Sequence, residues 1–263
     1  METNTIEEHC KNISKWKVVL HIFVGFFMML LGDLINGLCW DVIFSSVLMF
    51  PLPKWGYIAI RSVGCIVITY GLLYLYIKKV LKVSMIDFRI GQFHIKPVYI
   101  ACAFILPALV TLCLFATGGT FINNQHGRKG IVGITMVGLF YALKAGIVEE
   151  MIFRGYIMKF IEAKWNKTGA VLIPAVIFGI LHIAIWASAL IHVLWNTAMI
   201  GKVLDISTIY DTNSAFSFVL TSRNSLLTGG NFGIEASVFS IIGYMAVILL
   251  SWYLLKNKAL KNY

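Results

Sequence analysis

The chain has 263 residues, 59% of them hydrophobic and only 13% charged, with a formal net charge of +10. A soluble domain carries about 25% charged residues, so this composition excludes a soluble enzyme and a disordered protein. The positive charge does not mark nucleic acid either. Lys and Arg sit in short clusters between long apolar runs, as in loops that face anionic lipid, so membrane lipid is an expected partner and nucleic acid is not.

A helix needs roughly 20 apolar residues to cross a hydrocarbon core about 30 Å thick. The first such run extends from Val18 to Leu38 and contains Asp33. Asp41 to Leu52 is apolar but short, ends at Pro51 and Pro53, and reads as a partial or interfacial element. Further spans are predicted from Tyr57 to Ile77, Val98 to Ala116 and Gly130 to Val148, and a last one from Ile234 to Leu255. Between these last two lies a long apolar stretch, Gly169 to Gly201. As a straight helix it would run about 50 Å, too long for a simple crossing, so it must tilt, break or re-enter. The fold class is therefore all-α, a polytopic transmembrane helix bundle of about six to eight spans. Residues 205–233 read as a polar, exposed loop with turns at Gly229, Gly230 and Gly233.

The clusters Lys11/Lys15/Lys17, Lys78 to Lys96, Arg154 to Lys167 and Lys256 to Lys261 all fall on one side of this scheme. The excess of positive charge in cytoplasmic loops puts that side, with both termini, in the cytoplasm of a multi-pass cell-membrane protein. Arg128 and Lys129 fall on the other side. Residues 1–17 carry Glu2, Glu7 and Glu8 and do not read as a cleaved signal. They form a cytoplasmic segment, followed by membrane helices over 18–128 and a chemistry-bearing part over 129–263. The five cysteines, Cys10, Cys39, Cys65, Cys102 and Cys113, have no CxxC spacing and read as buried structural thiols.

Ionisable residues within spans are costly and are candidates for function. Glu149 and Glu150, with Arg154, close the fourth predicted span. Glu150 and Arg154 are i,i+4 neighbours and can pair. Glu149 points about 100° away and is expected to lack a cation, which suits a general base acting on water. Downstream, Phe178 and His182 are again i,i+4, as are His192 and Asn196. Two imidazoles and an amide can bind a metal, orient water or donate to an oxyanion. Pro174 and Gly179 can loosen the helix upstream of His182. His9, His21, His94 and His126 read as packing or surface residues. Asp33 and Asp41 read as interfacial, and Asp205 and Asp211 as solvated loop charges.

The ordered set Glu149-Glu150-x-x-x-Arg154, Phe178-x-x-x-His182 and His192-x-x-x-Asn196 resembles the three signature motifs of the CAAX prenyl protease and bacteriocin-processing family, also called the Abi family. The resemblance covers residues 149–196 and makes 129–263 the protease core. It implies an all-helical intramembrane endopeptidase acting on a membrane-delivered peptide or protein, of the CAAX or leader-peptide type. By the same resemblance Glu149 activates water, and Glu150 with Arg154 tunes Glu149. His182 contacts the water or a metal, and His192 and Asn196 hold the oxyanion or complete a metal site. A divalent metal such as zinc, on Glu149, His182 and His192, and a metal-free mechanism are both allowed. There is no His-Glu-x-x-His pair of the zincin kind.

One departure from the family pattern matters. His182 and His192 are only ten positions apart, where family members carry a further helix and loop. On an unbroken helix the two rings would stand about 15 Å apart along the axis. Either the chain breaks near Trp186–Ser188, or the protein is a catalytically inactive relative acting as an immunity or partner protein. A small transporter would need paired repeats or polar residues spread through several spans, and neither is visible.

Overall fold

The computed structural model describes residues 5–46, 52–88, 90, 97–165, 185–200, 202–230, 233–243, 245 and 246. Its elements are mostly helical: α1 (Ile6–Lys11), α2 (Lys15–Ser46), α3 (Lys54–Tyr76), α4 (Pro97–Ala116), α5 (Gly127–Glu150), α6 (Met158–Lys164), α7 (Ile185–Trp195) and the single turn α8 (Ser225–Thr228). Among the described residues, three stretches are long and apolar enough to cross a membrane: Lys15–Trp40, Lys54–Leu81 and Gly127–Lys164. Ala103–Ala116 is shorter. About half of Gly169 to Gly201 and about half of the last predicted span lie outside the described residues. The helical membrane class is what the sequence predicted.

Three local expectations are corrected. α2 does not stop before Asp41 but continues to Ser46, because nothing in that run breaks a helix before the prolines. The fourth span does not end at Val148. It runs through Glu150 into a π-helical segment, Met151–Ile157, and on through α6. Third, the loop read over 205–233 contains two strands. β1 (Gly119–Asn123), β2 (Leu204–Ser207) and β3 (Phe216–Leu220) form a sheet in the order β1-β3-β2. β1 is antiparallel to β3 and β2 is parallel to it.

The chain divides into two compact units. The first comprises Met1–His94, Leu143–Ile180 and Ala184–Ala189. Here α2 shows Leu20, Phe23, Phe27, Leu30, Leu34 and Leu38 outward, a stripe at three- and four-residue spacing that suits lipid. Its inner face meets α3 closely enough to require glycine. A Cβ on Gly32 would collide with Thr69 Oγ1 and stand 3.2 Å from the Thr69 Cα. Small residues of this kind let membrane helices approach. Gly32→Leu is therefore expected to part the helix pair and cost about 1–3 kcal/mol, read as a lower melting temperature in detergent.

α1 docks beside the same core, with Ile6 and Cys10 buried. Thr5 and Glu8 close a reciprocal cap at its start. At its other end Lys164 Nζ donates to the Cys10 and Ile13 carbonyls at 2.7 and 2.5 Å. Burial pushes the Cys10 thiol up to about 11, so at pH 8 only about one thiol in a thousand is the reactive thiolate. Alkylation of Cys10 is expected to be slow at pH 8, and Lys164→Met, which frees the α1 carbonyls, is expected to accelerate it by opening α1, against the further rise of the thiol that losing the Lys164 charge brings. Equal rates in both proteins would contradict the pin.

The described cysteines are free, as expected, but Cys39 and Cys113 are exposed while Cys10 and Cys65 are buried. Cys39 and Cys113 lie in apolar helices, where lipid can cover a thiol as well as protein does.

The second unit comprises Ile95–Ala142, Leu181–Ile183 and Leu190–Tyr263. Ala103, Leu106, Val110 and Leu114 of α4 pack with Ile191, Trp195, Ile206, Phe218 and Leu220. Asn124 knits the sheet's end. Its amide donates to the Asp211 and Ser214 carbonyls at 2.9 and 2.8 Å, and its oxygen accepts from Tyr210 at 2.7 Å. His126 binds the Thr212 carbonyl at 3.0 Å, the surface role expected of it. Asp211 pairs with Lys202 at 2.8 Å. Asp205 is half-buried rather than solvated, and burial raises its carboxyl above the usual range.

Candidate active site

The Glu-Glu-x-x-x-Arg motif sits where α5 passes into the π-helical segment. The Met158 N–H donates to the Phe153 carbonyl five residues back, the π pattern. All of Met151–Ile157 is buried. Aromatic rings fix the segment in the first unit: Phe26 meets Phe153 edge-on at 5.2 Å and Phe88 stacks on Tyr156 at 5.3 Å. The Tyr156 hydroxyl donates to the His21 carbonyl at 3.1 Å. His21 also stacks on Phe160 and hydrogen-bonds Tyr76, a packing role as the sequence suggested.

Within this frame Glu150 pairs with Arg154, as the i,i+4 spacing predicted, and the two side chains are only 2% and 9% exposed. The motif is thus sealed within the protein and does not end a helix. It lies inside a 38-residue apolar helix. Glu149 is half-buried. The expectation that it lacks a cation is corrected: Arg154 also interacts electrostatically with Glu149. The widened π turn keeps the one guanidinium within reach of both carboxylates, which a regular helix at about 100° per residue would separate further.

His192 and Asn196 belong to the second unit. His192 lies in the last turn of α7, and Asn196 begins another π-helical segment, Asn196–Ile200. Both are half-buried. Trp195 between them is buried and donates to Glu235 at 2.8 Å. Thr197 returns its hydroxyl to the Val193 carbonyl at 2.7 Å. The break sought near Trp186–Ser188 is absent, because α7 is continuous from Ile185 to Trp195. Phe178, His182, Pro174 and Gly179 lie outside the described residues, as does His94.

Residues 131–257 match the family described as type II CAAX prenyl endopeptidase, Rce1-like. The match covers a little under half of the chain, includes all three motifs, and agrees with the resemblance carried by residues 149–196. No curated protein and no solved structure matches the chain. The Rce1-like match supports a CAAX-type intramembrane endopeptidase as the general class, with a peptide or protein substrate in the membrane. Among the described residues, no group of three or more His, Cys, Asp or Glu is placed to hold a metal. The expected donor set of Glu149, His182 and His192 includes His182, which lies outside those residues.

Sequence reasoning passed over one intramembrane constellation. Lys144, inside the fourth predicted span, pairs with Asp33 of α2 at 2.6 Å. Asp33, within α2, is therefore paired across to α5. The signal was present in the sequence, since a lysine flanked by apolar residues on both sides needs a counter-charge.

Proposed function

We propose that this chain is an intramembrane endopeptidase of the CAAX type in which Glu149 activates the attacking water. The observation that carries the reading is the buried Glu150–Arg154 pair beside Glu149, at an α-to-π junction within the Rce1-like segment. Glu149 takes a proton from water as the oxygen adds to the scissile carbonyl. It returns that proton to the leaving amine as the C–N bond breaks, giving a carboxylic acid and an amine. Glu150 holds Arg154, and Arg154 orients Glu149. His182 contacts the water, and His192 and Asn196 donate to the oxyanion. The substrate is a membrane-delivered CAAX-type protein or a leader peptide, and both termini of the enzyme face the cytoplasm. A divalent metal, if used, would draw on Glu149, His182 and His192 and would polarise the carbonyl or the water.

One observation favours a second reading. The continuity of α7 through Trp186–Ser188 keeps the second and third motifs close in sequence with no break there, as in a catalytically silent relative. Cleavage of a prenylated CAAX-type reporter by the purified protein, compared with Glu149→Gln, decides between the two. Product from the unsubstituted protein alone supports the peptidase, and product from neither supports the silent relative. Loss of product in a chelator, restored by zinc, would assign the metal.

A further inference from the structure

We propose that His9 and His21 form an acid-sensitive latch, which holds α1 on the first unit near neutral pH and lets it go when His9 takes a proton. The latch stands apart from the endopeptidase reading. The two rings are 5.8 Å apart. His21 is fixed in place: it stacks on Phe160 at 5.4 Å, and its Nδ1 meets the Tyr76 hydroxyl at 2.7 Å. His9 is half-buried, and its Nε2 is sealed with no hydrogen-bond partner. A neutral ring tolerates that position when its proton sits on the other nitrogen. An imidazolium carries a proton on both nitrogens, so Nε2 would then hold a buried N–H that nothing accepts.

No carboxylate among the described residues reaches that nitrogen. On α1, the Glu8 carboxylate turns back to accept from the Thr5 N–H at 3.0 Å, Glu7 and Lys11 are exposed, and the Cys10 thiol is buried. α2 brings His21 and, one turn before it, Lys17. α3 brings the Tyr76 hydroxyl. α6 brings Lys164, which donates to the Cys10 and Ile13 carbonyls, and Glu162, which Lys159 holds at 3.1 Å. The π-helical segment brings Tyr156, whose hydroxyl is committed to the His21 carbonyl. Glu7, Asp87 and Lys159 gather around a cleft at the start of α1. Glu2 lies outside the described residues.

α1 is the part that gives way. It has six residues, too few to stay helical alone, and it is kept by the burial of Ile6 and Cys10 and by the Lys164 bonds. α2, which carries His21, runs for 32 residues. Burial lowers the His9 ring below its ordinary pKa, so docked α1 binds fewer protons than free α1. Docking is therefore complete above about pH 6.5, the ordinary histidine value, and weakens as the pH falls below it. Carboxylates stay charged down to about pH 5.5, which leaves histidine as the group that titrates in this window. Ile6 and Cys10 share one core with Met151, Ile152, Phe153 and Tyr156, so the latch bears on the packing of the segment that carries Arg154.

The test is hydrogen exchange of the full chain in detergent micelles at about pH 7.5 and about pH 5.5, with rates corrected for their intrinsic pH dependence. The probe is the stretch 6–12, where the Asn12 N–H bonds the Glu8 and His9 carbonyls at 3.4 and 3.2 Å. Its protection is expected to fall about five- to tenfold at the lower pH, as one proton taken up on release requires. Peptides from α3 should keep their protection. His9→Phe retains a ring that cannot titrate and should hold its protection at both pH values. His9→Leu gives the same reading where the larger ring does not fit. Equal protection of 6–12 at both pH values in the parent protein overturns the latch. So does a fall in the His9 variants as large as in the parent, or a parallel loss in α3, which marks general acid unfolding.

Discussion

Glu149→Gln is expected to yield a folded protein whose cleavage of a prenylated CAAX-type reporter falls at least about a hundredfold, the lower end of what a general base contributes. Glutamine keeps the size and most of the hydrogen-bonding capacity of the side chain but cannot take a proton from water. Glu149 is half-buried and Arg154 keeps its ion pair with Glu150, so the change should leave thermal stability close to that of the parent. Retained turnover in Glu149→Gln would remove Glu149 as the base. Loss of turnover together with loss of the folded state would point instead to a structural carboxylate.

The Glu150–Arg154 pair should show the opposite balance. Arg154→Met leaves the Glu150 carboxylate, 1% exposed, without its guanidinium in a dry core. Breaking a buried pair from one side costs about 3–5 kcal/mol, and the expected readout is a markedly lower melting temperature and poor recovery from the membrane. The double change Glu150→Leu/Arg154→Met removes both charges and should restore most of that loss, because an apolar pair of similar volume packs well there. It should not restore cleavage, since Arg154 also acts on Glu149. A double-mutant cycle with strong coupling in stability and none in activity fits this assignment. Additive effects on stability would contradict the pairing.

These predictions differ in how far the sequence alone could have led to them. The Glu150–Arg154 contact was legible as an i,i+4 spacing, and the spacing held. The sharing of Arg154 with Glu149 was not, because it depends on Met151–Ile157 winding as a π-helix. Hydrophobic periodicity in a wholly apolar run does not distinguish that winding from an α-helix. The Asp33–Lys144 contact joins residues far apart in the chain, on α2 and α5. Each carried a signal as an ionisable residue in an apolar run, but neither named its partner. The sheet was missed for a related reason. β1 and β3 lie about a hundred residues apart, and each is too short for its pattern to stand out from a loop.

The sequence by itself determined that the chain is a helical membrane protein, because 59% hydrophobic residues in long runs have no other stable solvent than lipid. It also determined the order and type of the motif residues, since i,i+4 spacing puts side chains on one helix face whatever surrounds them. Only the tertiary structure decided which charges are sealed and which stay accessible. Burial and pairing are set by what neighbouring helices bring alongside: Phe26, Phe88 and Tyr156 close over the Glu150–Arg154 segment, while nothing among the described residues covers Asp33 to the same degree.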